Sequence, residues 1–305
     1  MTFYPDALMY HYVRERTTQP VVGYPAVRPV DFRAQLDDAC RLTTPVGWPE
    51  VRAAIEGRSS LPADALLLTF DDGLIDHHRT VGPELAARGL RAIFFAMARE
   101  PRDGLTLGHR LHVLLGVMSP PQLGAAIAER LPPETARSYL AQVEVARAAA
   151  ATAPAPTADL ADPWKRPVQR DLGPIAGPVL GDLIRERLGA EDELAREIYM
   201  GPRELAELVA AGHTIGGHGR DHHWLDVVDA GARRSEIAAS AALAAGYSLG
   251  PWPFAYPYGG VPPRPGALLG RAGFAAAFTT RAGERRGPHR IGRRDADDLP
   301  TATSG

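Results

Sequence analysis

The 305-residue sequence has little net charge, a single cysteine and no apolar run long enough to cross a bilayer. Its 36 acidic and 34 basic side chains leave a formal charge of −2, which excludes the polycationic surface of a protein that wraps nucleic acid. The one thiol, Cys40, cannot form an internal disulfide. It follows Phe32 and Leu36 at four-residue steps along a helical apolar stripe, and so reads as buried. Met1 to Asp6 has neither the basic nor the apolar region of a secretory leader, and no segment spans about 20 apolar residues. The expected location is therefore cytoplasmic, with association at a membrane face as the alternative.

What is present is an ordinary globular composition, 45% hydrophobic and 23% charged, with enough apolar surface for a sizeable core. Short apolar runs recur, each ending in polar or glycine residues and most followed by a helical stretch. The runs are Ala7 to Tyr10, Leu66 to Phe70, Arg91 to Ala96, His213 to Ile215, Trp252 to Tyr256 and Phe274 to Thr279. Helical periodicity marks Pro29 to Arg41, Asp76 to Arg88, Pro202 to Ala211 and Ala230 to Ala245. A strand-then-helix order of this kind predicts an α/β protein, either a barrel or a doubly wound sheet.

Residues 101–200 break the rhythm. They show helical faces, Leu111, Leu114, Leu115 and Met118 on one and Leu180, Leu183, Ile184 and Leu188 on another, and no clear strand. The Ala/Pro-rich stretch from Ala146 to Pro163 reads as a flexible excursion. The sequence thus divides into a discontinuous barrel at 1–100 and 201–297, a mostly helical insertion at 101–200 and a frayed tail at 298–305.

Three segments carry chemistry. Asp71 and Asp72 follow the run Leu66 to Phe70 and precede Gly73. Taken alone, Asp-Gly is a common turn, but residues just past a barrel strand also line the active-site mouth. His218 and His222 follow another short strand; two histidines and a carboxylate make a catalytic metal set with an open position. The helical zinc-protease motif shares this spacing but needs Glu after the first His, where this chain has Gly219. The third segment, Phe254 to Gly259, is a proline- and glycine-shaped turn that can aim a backbone N–H at a developing oxyanion. His77, His78, His109, His112, His213 and His223 read as core or surface residues.

In this order the segments resemble the polysaccharide deacetylases, the fourth family of carbohydrate esterases, which share the NodB homology domain. Thr69 to Gly73 matches the family's first motif in full, His218 and His222 match the histidines of its second, and Pro257-Tyr258-Gly259 matches the end of its third. The resemblance covers about Tyr4 to Ala98 and Gly201 to Arg293. It implies a distorted (β/α) barrel with Asp71 as general base, and a divalent metal on Asp72, His218 and His222. Zinc is the expected ion, with cobalt or nickel as alternatives. It further implies an oxyanion site at the N–H of Tyr258, shaped by Pro257 and Gly259.

The sequence departs from the family pattern in three places. Ala255 stands where the third motif usually has a base-orienting arginine, Gly219 replaces the usual Ser/Thr, and no downstream Leu-x-His supplies the general acid. Some bacterial exopolysaccharide deacetylases carry the late motifs permuted to the front, and Leu8 to Tyr12 is similar to that arrangement. This makes His11 the expected general acid, with His289 as its rival. Arg290, in the segment His289 to Arg293, is the expected replacement for the missing arginine. The implied function is metal-dependent removal of an N-acetyl or similar acyl group from an amino sugar, a sugar-containing small molecule, a lipid-linked sugar or a polysaccharide precursor. The substrate would be an N-acetylated sugar or glycoconjugate. A metal-independent amidase of the allantoinase type and a non-catalytic sugar-binding barrel are the competing readings.

Overall fold

The computed structural model describes residues 4–152 and 163–299. The chain forms two compact units, one of Met1–Arg16, Pro25–Pro101 and Ile198–Gly305, the other of Thr17–Tyr24 and Arg102–Glu197.

The first unit is a (β/α) barrel. Its strands, all paired in parallel, are β1 (Asp6–Tyr10), β2 (Thr44–Val46), β3 (Ala65–Phe70), β4 (Ala92–Ala96), β5 (Thr214–Gly217), β6 (Trp252–Ala255), β7 (Phe274–Thr279), β8 (Ile291–Gly292) and β9 (Arg294–Asp295). Their order is β8-β7-β6-β5-β4-β3-β1-β9, with β2 beside the first half of β3. Since β8 and β9 are the two ends of the single stretch 291–295, the ring closes there: β8 pairs with β7 and β9 with β1.

The apolar runs are continuous because most of these strands are buried on both faces. Leu66, Leu68 and Phe70 of β3 pack outward with Tyr10, Phe94, Phe32 and Leu36 under the helix Pro29–Leu42. The alternate residues Leu67, Ile93, Phe95, Ala255, Ala276, Phe278 and Ile291 fill the interior. Trp48, Val51 and Ala54 of the helix Trp48–Ile55 join that cluster. Strand side chains alternate with period two, so Leu67, Thr69 and Asp71 share one parity. The polar residues continue an inward row begun by leucine.

Sequence reading and structure differ at several elements. The helix expected over Asp76 to Arg88 is a wide π-type turn, His77–Val81, followed by the helix Gly82–Ala87. The short elements β2, β8, β9 and Trp48–Ile55 have too few residues for a periodic signal. Among the described residues, the α-helices between Arg102 and Ile198 are Leu107–Leu115, Pro120–Arg130, Pro133–Thr152, Ala176–Arg187 and Glu191–Ile198, with a π-type turn at Pro167–Leu172. The expected excursion from Ala146 is therefore helical as far as Thr152, and its residues 153–162 lie outside the described residues, as do 300–305 of the expected tail. The start of that tail is ordered instead: Ala296–Asp298 makes a 3₁₀ turn, in which the Asp295 carboxylate accepts from the Asp297 N–H at 3.0 Å, and Leu299 packs against the core. No helix among the described residues is long and apolar enough to cross a membrane.

Cys40 is exposed, against expectation, and Ala39 is buried in its place. A helix advances 100° per residue, so two four-residue steps from Phe32 drift about 80° off the apolar face, whereas position 39 returns to within about 20° of it. The native protein should accordingly react with one equivalent of an aromatic disulfide reagent at its ordinary rate. A thiol that titrates only after denaturant is added would overturn this placement.

Candidate active site

Parallel strands deliver their following loops to one end of the barrel, and the motif residues gather there. Asp71 and Asp72 leave β3, His218 leaves β5, and the turn Pro257–Gly259 leaves β6. His11 follows Tyr10 of β1, which is in register with Phe70, and the Asp71 N–H donates to the Tyr10 carbonyl at 2.9 Å.

Asp72 Oδ1 lies 3.2 Å from His218 Nε2 and 3.1 Å from His222 Nε2, and the two Nε2 atoms are 3.1 Å apart. All three side chains are buried or nearly so. Ligand atoms bound about 2.0 Å from one tetrahedral ion stand about 3.3 Å apart, so this nearly equilateral triangle suits a divalent cation. The chemistry of the set agrees. His218 Nδ1 is 2.9 Å from the Ala255 carbonyl, which favours a proton on Nδ1 and leaves the Nε2 lone pair turned toward the other two donors.

Asp71 is held by a different partner. Arg293 NH1 donates to Asp71 Oδ1 at 2.7 Å and NH2 to Oδ2 at 2.6 Å, a fork-to-fork pair that is fully buried. Arg293 NH1 also donates to Thr69 Oγ1 at 3.0 Å, and its Nε to the Thr279 carbonyl at 3.3 Å. Burial pushes the Asp71 carboxyl upward, but the charges of Arg293 and His218, the hydrogen bonds from Arg293 and the charge of His11 outweigh it. The group is held below the usual carboxylate range.

Arg290, the residue expected here, instead pairs with Glu284 at 2.8 Å and is partly exposed. The reason is strand parity: Ile291 is in the barrel interior, so Arg293 faces inward with it and Arg290 does not. That alternation was the available signal. His289, the rival acid, lies at the wrong end of the barrel, with its Nε2 3.0 Å from the carbonyl of Phe274, the first residue of β7.

Two further histidines stand apart from this triangle: His78 pairs with Glu207 at 2.7 Å near the surface, and His77 lies in the core. His77 is buried, with Nε2 3.0 Å from the His11 carbonyl, and its pKa is pulled down to about 4, mainly by burial. Next to it Asp76 accepts from the Val13 N–H at 3.2 Å and from both Nε and NH2 of Arg14 at 2.7 Å. These bonds fix the course of the chain at and just after His11.

Among the described residues four non-glycine positions have left-handed backbone, and three are Asp72 (φ 74°), His222 (φ 57°) and Tyr258 (φ 55°). Such conformations cost about 1–3 kcal/mol each and concentrate where a side chain or N–H must be aimed. Tyr258 stacks on Trp224 with centroids 4.8 Å apart and meets the His222 ring edge-on at 4.3 Å. Burial raises its hydroxyl pKa, so it stays a neutral phenol.

No protein-family model matches the sequence, and no curated protein matches it either. Solved structures do. The chain is similar to the deacetylase PplD of Streptococcus pyogenes, with 14% identity over 95% of this chain and 91% of that one and a TM-score of 0.55. It is similar to the BpsB deacetylase domain of Bordetella bronchiseptica, with 14% identity, 95% of each chain covered and a TM-score of 0.55. It also matches IcaB of Ammonifex degensii, with 20% identity over 95% and 90% of the two chains and a TM-score of 0.51. The barrel has the polysaccharide deacetylase fold. Within that fold, Arg293 is the site residue that motif order alone did not reveal.

Removing Arg293 would leave a buried carboxylate unpaired. Arg293→Ala should cost about 3–5 kcal/mol of stability, whereas Arg290→Ala should cost distinctly less, because Arg290 is partly exposed and Glu284 keeps the Thr279 hydroxyl at 2.9 Å and Arg286 as partners. Urea denaturation of both variants checks this, and equal losses would overturn the assignment.

Proposed function

We propose that this chain is a metal-dependent carbohydrate deacetylase that hydrolyses the N-acetyl amide of an amino sugar. The observation that carries this reading is the adjacency of two differently partnered carboxylates at the barrel mouth. Asp72 faces two imidazoles, while Asp71 is clamped by a guanidinium. Deacetylases of this fold, such as PplD and the BpsB domain, support the reaction class.

Asp72, His218 and His222 hold the divalent ion, most simply zinc. When bound, the ion supplies Lewis-acid polarisation of a water and of the amide carbonyl. Asp71 accepts the proton of the attacking water. Arg293 sets both the direction and the ionisation of that carboxylate, and by disfavouring its neutral form it lets the proton move on. The N–H of Tyr258, in the turn Pro257–Gly259, stabilises the oxygen on which negative charge develops. His11 protonates the leaving amine. The substrate class is an N-acetylated sugar or glycoconjugate, including lipid-linked sugars and polysaccharide precursors.

Acetate release from a panel of such compounds by zinc-loaded protein tests the activity. Asp71→Asn should keep its metal and lose turnover, because an amide cannot take the water's proton, whereas Asp72→Asn should lose metal as well. Equal metal loss in both variants would sink this division of roles.

His11 is tested by the leaving group. His11→Ala should lower kcat for an amide by about 10²- to 10⁴-fold with metal retained, and should affect an activated ester, which needs no protonation, far less. Equal loss for amide and ester would remove His11 from the acid's role.

A further inference from the structure

His222 sits in left-handed backbone, as Asp72 does, but it lies further from its strand, five residues past the end of β5 in a loop. The usual Ser/Thr after the first histidine is absent, and Gly219 replaces it with φ 75°. A β-carbon at Gly219 would stand 2.6 Å from Glu236 Oε2, so the glycine makes room for a carboxylate.

That carboxylate comes from the helix Ala230–Ala245. This helix packs so closely on β5 that a β-carbon at Gly217 would lie 2.7 Å from Ser240 Cβ. Glu236 is buried, and its Oε2 accepts from the N–H groups of Arg220 at 2.8 Å and Asp221 at 3.1 Å. Oε1 lies 3.2 Å from His223 Nδ1 and accepts from the Asp221 N–H at 3.2 Å. Successive backbone N–H groups converging on one anion form a nest, and here the anion is supplied by the protein itself. The loop is also tied at its flanks: the Ala98 N–H donates to the Gly219 carbonyl at 2.8 Å, and Arg99 NH1 pairs with Asp221 at 3.0 Å.

We infer that Glu236 is a positioning residue for the metal site, holding residues 219–223 in the one conformation that turns His222 onto Asp72 and His218. The inference rests on the metal reading above. It assigns Glu236 the loop-holding task for which Gly219 has no side chain. A carboxylate suits this cradle: the two backbone N–H groups need an acceptor, and a carboxylate can also accept from His223 when its Nδ1 carries the proton. An amide at position 236 would carry no charge and could accept at only one of its two ends.

Zinc affinity, measured by competition with a chromogenic chelator, reads this without any activity assay. Glu236→Gln should weaken zinc binding by at least tenfold, within the range typical of residues that orient ligands. The control is Ser240→Ala, one turn along the same helix and equally buried, whose hydroxyl donates to the Glu236 carbonyl at 3.0 Å. It removes a buried hydrogen bond without touching the loop and should keep wild-type affinity. Glu236→Asp, with the charge retained on a shorter stem, decides in the same way if the Gln variant does not fold. Wild-type affinity in the Glu236 variants, or equal loss in Ser240→Ala, would overturn the inference. Wild-type protein that binds neither zinc, cobalt nor nickel would instead overturn the metal reading on which it rests.

Discussion

The Arg293–Asp71 pair is the interaction on which the site depends, and it is also where the barrel closes. A buried ion pair offsets its desolvation only when the geometry is close and the remaining donors are satisfied. Here both carboxylate oxygens are engaged, and the guanidinium donates to Thr69 Oγ1 and the Thr279 carbonyl as well. Thr69 in turn donates to the Leu8 carbonyl at 2.6 Å, so the network crosses from β7 through the closing stretch to β3 and β1. Each half of that stretch is only two residues long. So short a seam is weak by itself, and the side chain that bridges its halves secures it. Closure and the setting of the proposed base are one event.

Strain is distributed around this fixed point, and each of the three left-handed residues at the site has a local restraint. Asp72 is followed by Gly73, whose carbonyl accepts from the Met200 N–H at 2.9 Å, and by the bridge between Leu74 and Tyr199. His222 lies in the loop gathered by Glu236. Tyr258 is bracketed by the bonds from the Gly259 N–H to the Tyr256 carbonyl and from the Gly260 N–H to the Pro257 carbonyl. These restraints come from different strands and helices. The site is therefore aimed by the surrounding scaffold, not by the propensities of the residues that form it.

This explains which parts were legible in the sequence. Long buried strands announce themselves as apolar runs, so a barrel or doubly wound sheet could be read from the runs themselves; the choice of the barrel and the grouping of Asp72, His218 and His222 came from the motif resemblance carried by the residues at the ends of those runs. Arg293 could not be read from motif order, because its role depends on a two-residue strand that has no periodicity of its own; only its parity with Ile291 separates it from Arg290. Cys40 failed for a related reason. A four-residue step resembles a helical repeat over one turn but drifts off the face over two. Glu236 was invisible because the loop it holds is paired with it in space and not in any local pattern.

Ala255 bears most directly on whether the motif pattern or the space it describes matters more. Ala255 of β6 is in register with Phe278 of β7, and Phe278 with Ile291 of the closing stretch, so the three form one row across the barrel interior. Arg293 is two residues beyond Ile291 with the same parity and reaches Asp71 from that side. The carboxylate is thereby paired from the closing stretch, and Ala255 lies buried in the same interior cluster as Phe278 and Ile291. Position 255 keeps a different task that any residue could perform, because its carbonyl is the group bonded to His218 Nδ1. A guanidinium beside the first aspartate and a carbonyl behind the first histidine are both present. The carbonyl comes from β6 and the guanidinium from the closing stretch between β8 and β9, so the charge beside Asp71 does not depend on the side chain at position 255.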